Sequence, residues 1–333
     1  MLGLDAEAIP AWKRELLLHY SDHIAAEMLV IDGLHNGWRH LVLPICFDDA
    51  LVMDAVLTVS AFHHPMGFSL SHDQQFQPDI LYARTITGLQ ARSKIAEYDR
   101  QSQHCIILTI MLLLTGIMVS GYPDFPILFH MLQSALDAIG GEKGLGSGEV
   151  AEFITRQINK LRVYAAPLLS EDYGIAALSS SERSEKMFGC LRYCLEQRPE
   201  HSESILKIPD IVQQACDIYL GHVIPCGEHA LDPTTPIGKL ESINRLSRFK
   251  QTLEIFPHDS PGEQVLIWAT FMAASDCLLE EHKVFFEDFF RRHYMRSKFK
   301  NLEFGLDALR KIWARPLTER WTALLPQSKL FLM

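Results

Sequence analysis

The stretch FDDALVMDAVLTVSAFHH, residues 47–64, sets three carboxylates, Asp48, Asp49 and Asp54, and a histidine pair, His63 and His64, around an apolar run. Aspartates on one helical face can hold Mg2+ against a diphosphate, because hard oxygen ligands neutralise that leaving group. At about 100° per residue, Asp49 and Asp54 face about 140° apart, and Asp48 and Asp54 about 120° apart, so neither pair makes a shared clamp. A cyclase built this way also needs a second metal site. Its best counterpart, NRLSRFKQ at 244–251, puts Gln251 where a carboxylate is required, beside Asn244 and Ser247 at a three-residue step. A metal grip at Asp48, Asp49 and Asp54, with Mg2+ as cofactor, is therefore the alternative reading. The main reading has no cofactor or metal: Asp48 or Asp49 caps a helix, Leu51, Val52, Val56 and Val59 enter the core, and His63-His64 meet free carbonyls at its end.

Other chemistry-bearing groups are sparse. His19-x2-Asp22-His23 puts two imidazoles one turn apart, a spacing that can bind zinc, but no glutamate or third ligand accompanies it, which favours a solvated helix face. Cys226, Glu228 and His229 form a compact group in an irregular stretch, again without an orienting partner. Cys190-x3-Cys194 reads as two buried thiols on one helical face. The glycine-rich GGEKGLGSGE at 140–149 has no preceding strand and no Gly-Lys-Ser/Thr ending, so it reads as a linker between helices. Nucleophile-elbow, dinucleotide, kinase and deaminase signatures are all missing. No catalytic residue is assigned.

The elements that must carry these groups are helical throughout. Apolar positions recur at three- and four-residue steps, and alternating β-branched runs are scarce. About 12 helices are expected, at 11–31, 49–64, 78–98, 101–119, 125–139, 148–165, 183–196, 208–223, 238–255, 262–281, 283–296 and 300–314. Pro78 suits a first turn, Gly140-Gly141 stop a helix, and Ser147 or Ser260 can cap the next one. The fifteen-residue CIILTIMLLLTGIMV, 105–119, falls short of the roughly 20 residues of a membrane span and reads as a central helix buried on all sides. The expectation is one large all-α domain around that helix, with any division into two lobes falling near 140–150.

Composition narrows the function. The 333 residues are 48% hydrophobic and 22% charged, as in ordinary globular chains. A formal charge of −10 argues against direct nucleic-acid binding, which needs a concentrated basic face. Seven cysteines, an odd number without a dense framework, fit a reducing compartment. A small hydrophobic effector could lie between helices, with Met111, Met118, Phe129 and Met131 as its lining, since methionine adapts to irregular shapes.

From ELLLHYSDHIAAEMLVIDGLHNGWRHLVLPICFDDALVMDAVLTVSAFHH onward the chain resembles the fungal-specific transcription factor domain. The carrying features are Asp32, Asn36, Trp38-Arg39, Leu43-Pro44 and Ala50 to His63, then ILYARTITGLQARSKI, DRQSQHCIILTIMLLLTGIMVSG and FHMLQSALDAIGG with Ser134-Ala135. The closing segment, VLIWATFMAASDCLLEEHKVFFEDFFRRHYMRSKFKNLEFGLDALRKIWAR, ends in Leu-x-x-Ile-Trp at 309–313. The similarity spans 15–315, leaving 1–14 as a lead-in and 316–333 as a tail. It implies an α-helical regulatory domain of a transcriptional regulator that senses a small molecule or partner, dimerises, and controls a metabolic or secondary-metabolite pathway. The family's two-zinc, six-cysteine DNA-binding module is not seen here. Residence is expected to be nuclear if such a module is fused to the chain and cytoplasmic otherwise. The alternative is a standalone copy recruited to bind or cyclise a hydrophobic metabolite.

Overall fold

The computed structural model describes residues 9–64, 77–224, 234–256 and 260–333. Every regular element among them is helical, as the three- and four-residue periodicity requires. The chain divides into two compact units, one of residues 1–28, 32–120 and 127–155, the other of 29–31, 121–126 and 156–333.

The first unit begins with α1 (Ala11–His19), α2 (Gly37–His40), α3 (Val42–Asp48) and α4 (Ala50–His63), and continues through α5 (Pro78–Ala91), α6 (Arg100–Ser120) and α7 (Phe125–Ala138) from Ile127 on, Phe125 and Pro126 belonging to the second unit. Helix α6 is the only one among the described residues long and apolar enough to cross a membrane, and its sixteen residues from Cys105 to Ser120 are all buried in protein. A helix apolar on every face needs neighbours on every face. α4 supplies one of them: Val59 and Phe62 of α4 pack beside Gly116 of α6. Leu51, Val52, Val56 and Val59 are buried, as expected.

The expected continuous helix over 11–31 is broken. After α1 the chain forms a π-turn at Tyr20–Ile24, in which Ala25 N–H bonds to the Tyr20 carbonyl at 2.8 Å. Tyr20 and Ile24 both stay fully buried through the wider turn. Beyond it, fully buried Asn36 donates to the Ala25 carbonyl and to Asp32 Oδ1, each at 2.8 Å, and accepts from Trp38 N–H at 3.0 Å, which caps α2. Arg39 grips Asp32 with two contacts of 3.0 Å and reaches back to the Ser21 carbonyl at 2.7 Å. Burial alone would raise the Asp32 pKa, but the hydrogen bonds from Arg39 and Asn36 and the guanidinium charge hold it below the usual range.

The second unit contains most of α8 (Glu149–Leu169), then α9 (Glu171–Ser179), α10 (Arg183–Gln197), α11 (Ser202–Ile205) and α12 (Ile208–Val223). It is completed by α13 (Pro236–Ile255), α14 (Ile267–Ala274), α15 (Glu280–Ser297) and α16 (Asn301–Trp313). Indole N–H groups tie its layers. Trp268 donates to the Tyr164 carbonyl at 2.9 Å, and Trp313 donates to the Ala274 carbonyl, at the free end of α14, at 2.7 Å. The closing Leu-x-x-Ile-Trp pattern thus buries Leu309 and Ile312, and Trp313 gives the Ala274 carbonyl a second donor beside Cys277 N–H at 3.1 Å.

The last residues are packed. Phe331 stacks on Phe125 with centroids 4.7 Å apart, Asn301 donates to the Phe331 carbonyl at 3.0 Å, and Glu171 accepts from Arg320 at 2.7 Å and from Thr322. Trp321, Leu325 and Leu332 are buried with them.

Replacing Asn36 by alanine orphans the buried Trp38 N–H and removes the links to Asp32 and to the Ala25 carbonyl, which keeps Met28 N–H, so Asn36→Ala is expected to cost about 1–3 kcal/mol in denaturant unfolding. A loss below about 0.5 kcal/mol would show that the network is dispensable.

Candidate functional site

The acidic stretch that opens α4 is engaged in structure. Asp49 is the N-cap: its Oδ1 accepts from Leu51 N–H at 2.8 Å and Val52 N–H at 3.2 Å, while Arg92, just past α5, holds Oδ2 at 2.6 Å. Asp54 is paired with Arg84 of α5, Nε to Oδ2 at 2.8 Å with a second contact alongside. Asp48 is exposed at the end of α3. The three carboxylates thus go separate ways, and two already carry a guanidinium where a metal cation would have to sit. Asn244, Ser247 and Gln251 lie on α13, where the Ser247 hydroxyl is 3.4 Å from His282 Nε2. Among the described residues no three His, Cys, Asp or Glu side chains are arranged to hold a metal ion.

Histidines far apart in sequence do meet. His19 and His23, at the end of α1 and in the π-turn, face His63 and His64 at the end of α4. Ring centroids of His19 lie 4.7 Å from His23, 5.0 Å from His63 and 4.7 Å from His64, and His19 Nε2 is 2.7 Å from His63 Nδ1. That contact requires one ring nitrogen to donate and the other to accept. Glu15 Oε1 approaches His64 Nε2 at 3.4 Å. Burial, and then the charges that His63, His64 and His23 would carry, push the His19 pKa down to about 3. The expected solvated face at His19 and His23 is instead half of a cluster whose other half lies forty residues on.

The thiols are inert in position. Cys190 and Cys194 are buried on one face of α10, with Cys190 Sγ donating to the Arg156 carbonyl at 3.8 Å. Burial pushes Cys46, Cys105 and Cys216 up to about 12 and Cys194 up to about 11. Cys226, Glu228 and His229 lie outside the described residues.

Of the residues expected to line an effector site, Met111 and Met118 are buried within α6, Phe129 is buried on α7 and Met131 is partly exposed there. All four belong to the first unit. An open cleft of about 600 Å3 lies in the second unit, between α16 and the C-terminal segment. Phe304, Ala308 and Ile312 form its apolar stripe, Leu324 and Leu330 face it, and Lys311, Arg315 and Lys329 line it as well. Gly121, with φ of +75°, also lines it and touches the Phe304 ring so closely that a Cβ would collide. The one sequence signal for this cleft was the four-residue spacing of Phe304, Ala308 and Ile312; its other wall comes from the residues read as a tail.

Two measurements check this geometry. Asp49→Ala removes the cap and the Arg92 partner and is expected to cost about 1–2 kcal/mol in denaturant unfolding, against near zero for Asp48→Ala. His19 is neutral in the folded chain well below its unfolded pKa of about 6.5, so its contribution is fully present above that pH and is lost as pH falls toward about 3. The melting temperature of the wild type should therefore drop more steeply between pH 6.5 and 4 than that of His19→Gln. Parallel slopes would contradict the assignment.

A family profile described as the fungal specific transcription factor domain matches residues 15–162 and again residues 154–333. No curated protein and no solved structure matches the chain. The two matches cover both units of an all-helical chain, including Asn36, Trp38-Arg39 and the Leu309 to Trp313 motif. The chain belongs to the fungal specific transcription factor domain family and has a regulatory role in transcription.

Proposed function

We propose that this chain is the signal-receiving domain of a fungal transcriptional regulator, and that its input is a small hydrophobic molecule seated in the cleft of the second unit. The observation that carries this reading is the cleft itself. Its volume of about 600 Å3 falls in the range of small-molecule sites, and its lining sets the apolar stripe of Phe304, Ala308 and Ile312 beside polar and charged side chains that can orient a ligand. The effector site thus moves from Met111, Met118, Phe129 and Met131 to the groove along α16.

Occupancy would act on regulation by bridging α16 and the C-terminal segment, which already meet at Asn301 to Phe331 and at Gly305 beside Leu330 and Leu332. A ligand favouring one arrangement of those two walls shifts the population toward it by its differential affinity. Homodimerisation, control of a metabolic or secondary-metabolite pathway, and nuclear residence when a DNA-binding module is joined to the chain complete the proposal. They rest on the family resemblance. DNA contact is left to that module, in keeping with the formal charge of −10.

The test uses a neutral solvatochromic dye, Nile red, with the whole chain. Ala314 lines the cleft yet is exposed, so Ala314→Trp fills the groove without disturbing the core. Saturable dye binding that weakens about tenfold or more in Ala314→Trp, at unchanged melting temperature, is the expected outcome. Equal binding by both proteins would remove the cleft as the effector site.

A further inference from the structure

The charges around the cleft are not balanced evenly. Five charged residues line it: Asp307, Lys311, Arg315, Glu319 and Lys329. Asp307 is committed to Arg310, whose Nη1 donates to it at 3.1 Å. The Arg315 guanidinium donates to the Ile312 carbonyl at 2.8 Å and the Glu319 carbonyl at 3.1 Å, and both the Glu319 carboxylate and Asp276 act on its charge. Asp276 is itself buried, 2.9 Å from His222 Nε2 and accepting from Ser242. Arg315 is therefore held from several sides by its own unit. Lys311 and Lys329 have no such commitment: among the described residues neither ammonium has a hydrogen-bonding or ion-pair partner.

Lys311 stands on α16 one residue from the apolar Ile312, and Lys329 stands on the opposite wall next to Leu330. Lys329 holds its place through a left-handed backbone, φ 50°, that L side chains rarely adopt. Two exposed lysines with no ion-pair partner among the described residues thus line the cleft beside its apolar stripe, in a chain whose net charge is −10. A hydrophobic ligand ending in an anion would satisfy both, and the compact ammonium groups need no planar bidentate partner. A cationic ligand would meet both lysines unfavourably, and a neutral one would leave them as they are.

We propose that the cleft selects amphipathic carboxylates, with the apolar body along Phe304, Ala308 and Ile312 and the carboxylate between Lys311 and Lys329. This deepens the reading of the cleft as an effector site and rests on it.

The experiment titrates the whole chain with decanoate, decanol and decylamine at one ionic strength, and repeats it with Lys311→Gln and Lys329→Gln. The expected result is decanoate binding about tenfold or more tighter than decanol, with each lysine substitution removing most of that advantage and leaving decanol and Nile red binding unchanged. Decanoate and decanol binding equally, or decylamine binding tightest, would overturn the carboxylate assignment while Nile red binding still supports the cleft. Loss of Nile red binding in Ala314→Trp with decanoate binding retained would overturn this location for the carboxylate site. Melting temperatures of both lysine variants, expected to match the wild type because the ammonium groups hold nothing in place, separate a binding defect from a folding one.

Discussion

The first unit depends on a single constraint: α6 is apolar on every face and must be enclosed. A helix of 21 residues with sixteen consecutive buried positions leaves no side for solvent, so flanking helices are obliged to pack around it. Val59 and Phe62 bring α4 against α6 beside Gly116, and Asp49 fixes where α4 begins. The opening acidic stretch is then explained by position. Its carboxylates start a core helix and fasten it to α5 through Arg92 and Arg84, which is why they do not converge.

Periodicity accounts for most of what was legible in the sequence. Long helices such as α6, α12 and α16 have enough turns for the apolar pattern to stand out, and Asp49, Pro78 and Gly140 carry local signals that act through the backbone alone. The π-turn at Tyr20–Ile24 escaped because one extra residue per turn leaves the composition unchanged while shifting the hydrogen-bond register. Helices α2, α3 and α9 are too short for a period to show. The histidine cluster joins residues 44 apart, and the cleft joins Gly121 to residues beyond 300. Those proximities are made by tertiary packing, and no local pattern reports them.

Tertiary packing also decides the fate of the C-terminal segment. Read as a tail, 316–333 has no helical repeat to recommend it, yet Trp321, Phe331 and Leu332 are buried and Asn301 and Glu171 hold the segment by hydrogen bonds. That packing gives the cleft its second wall and brings Lys329 opposite Lys311. The second unit also buries polar groups in fixed partnerships: Glu263 with Arg292 at 2.9 Å, and Asp276 with His222 and Ser242. Such groups cost stability unless each is paired; the two cleft lysines, exposed and held by no partner among the described residues, are left open to a ligand.

The central claim is that a small hydrophobic acid binds between α16 and the C-terminal segment of this regulatory domain. Hydrogen exchange of the whole chain, measured by mass spectrometry with and without saturating decanoate, tests it most directly. Slowed exchange confined to peptides covering 304–315 and 321–330, with α4 and α6 unchanged, is the predicted result. Protection centred on Met111, Met118, Phe129 and Met131, or no protection in 304–330, would contradict it.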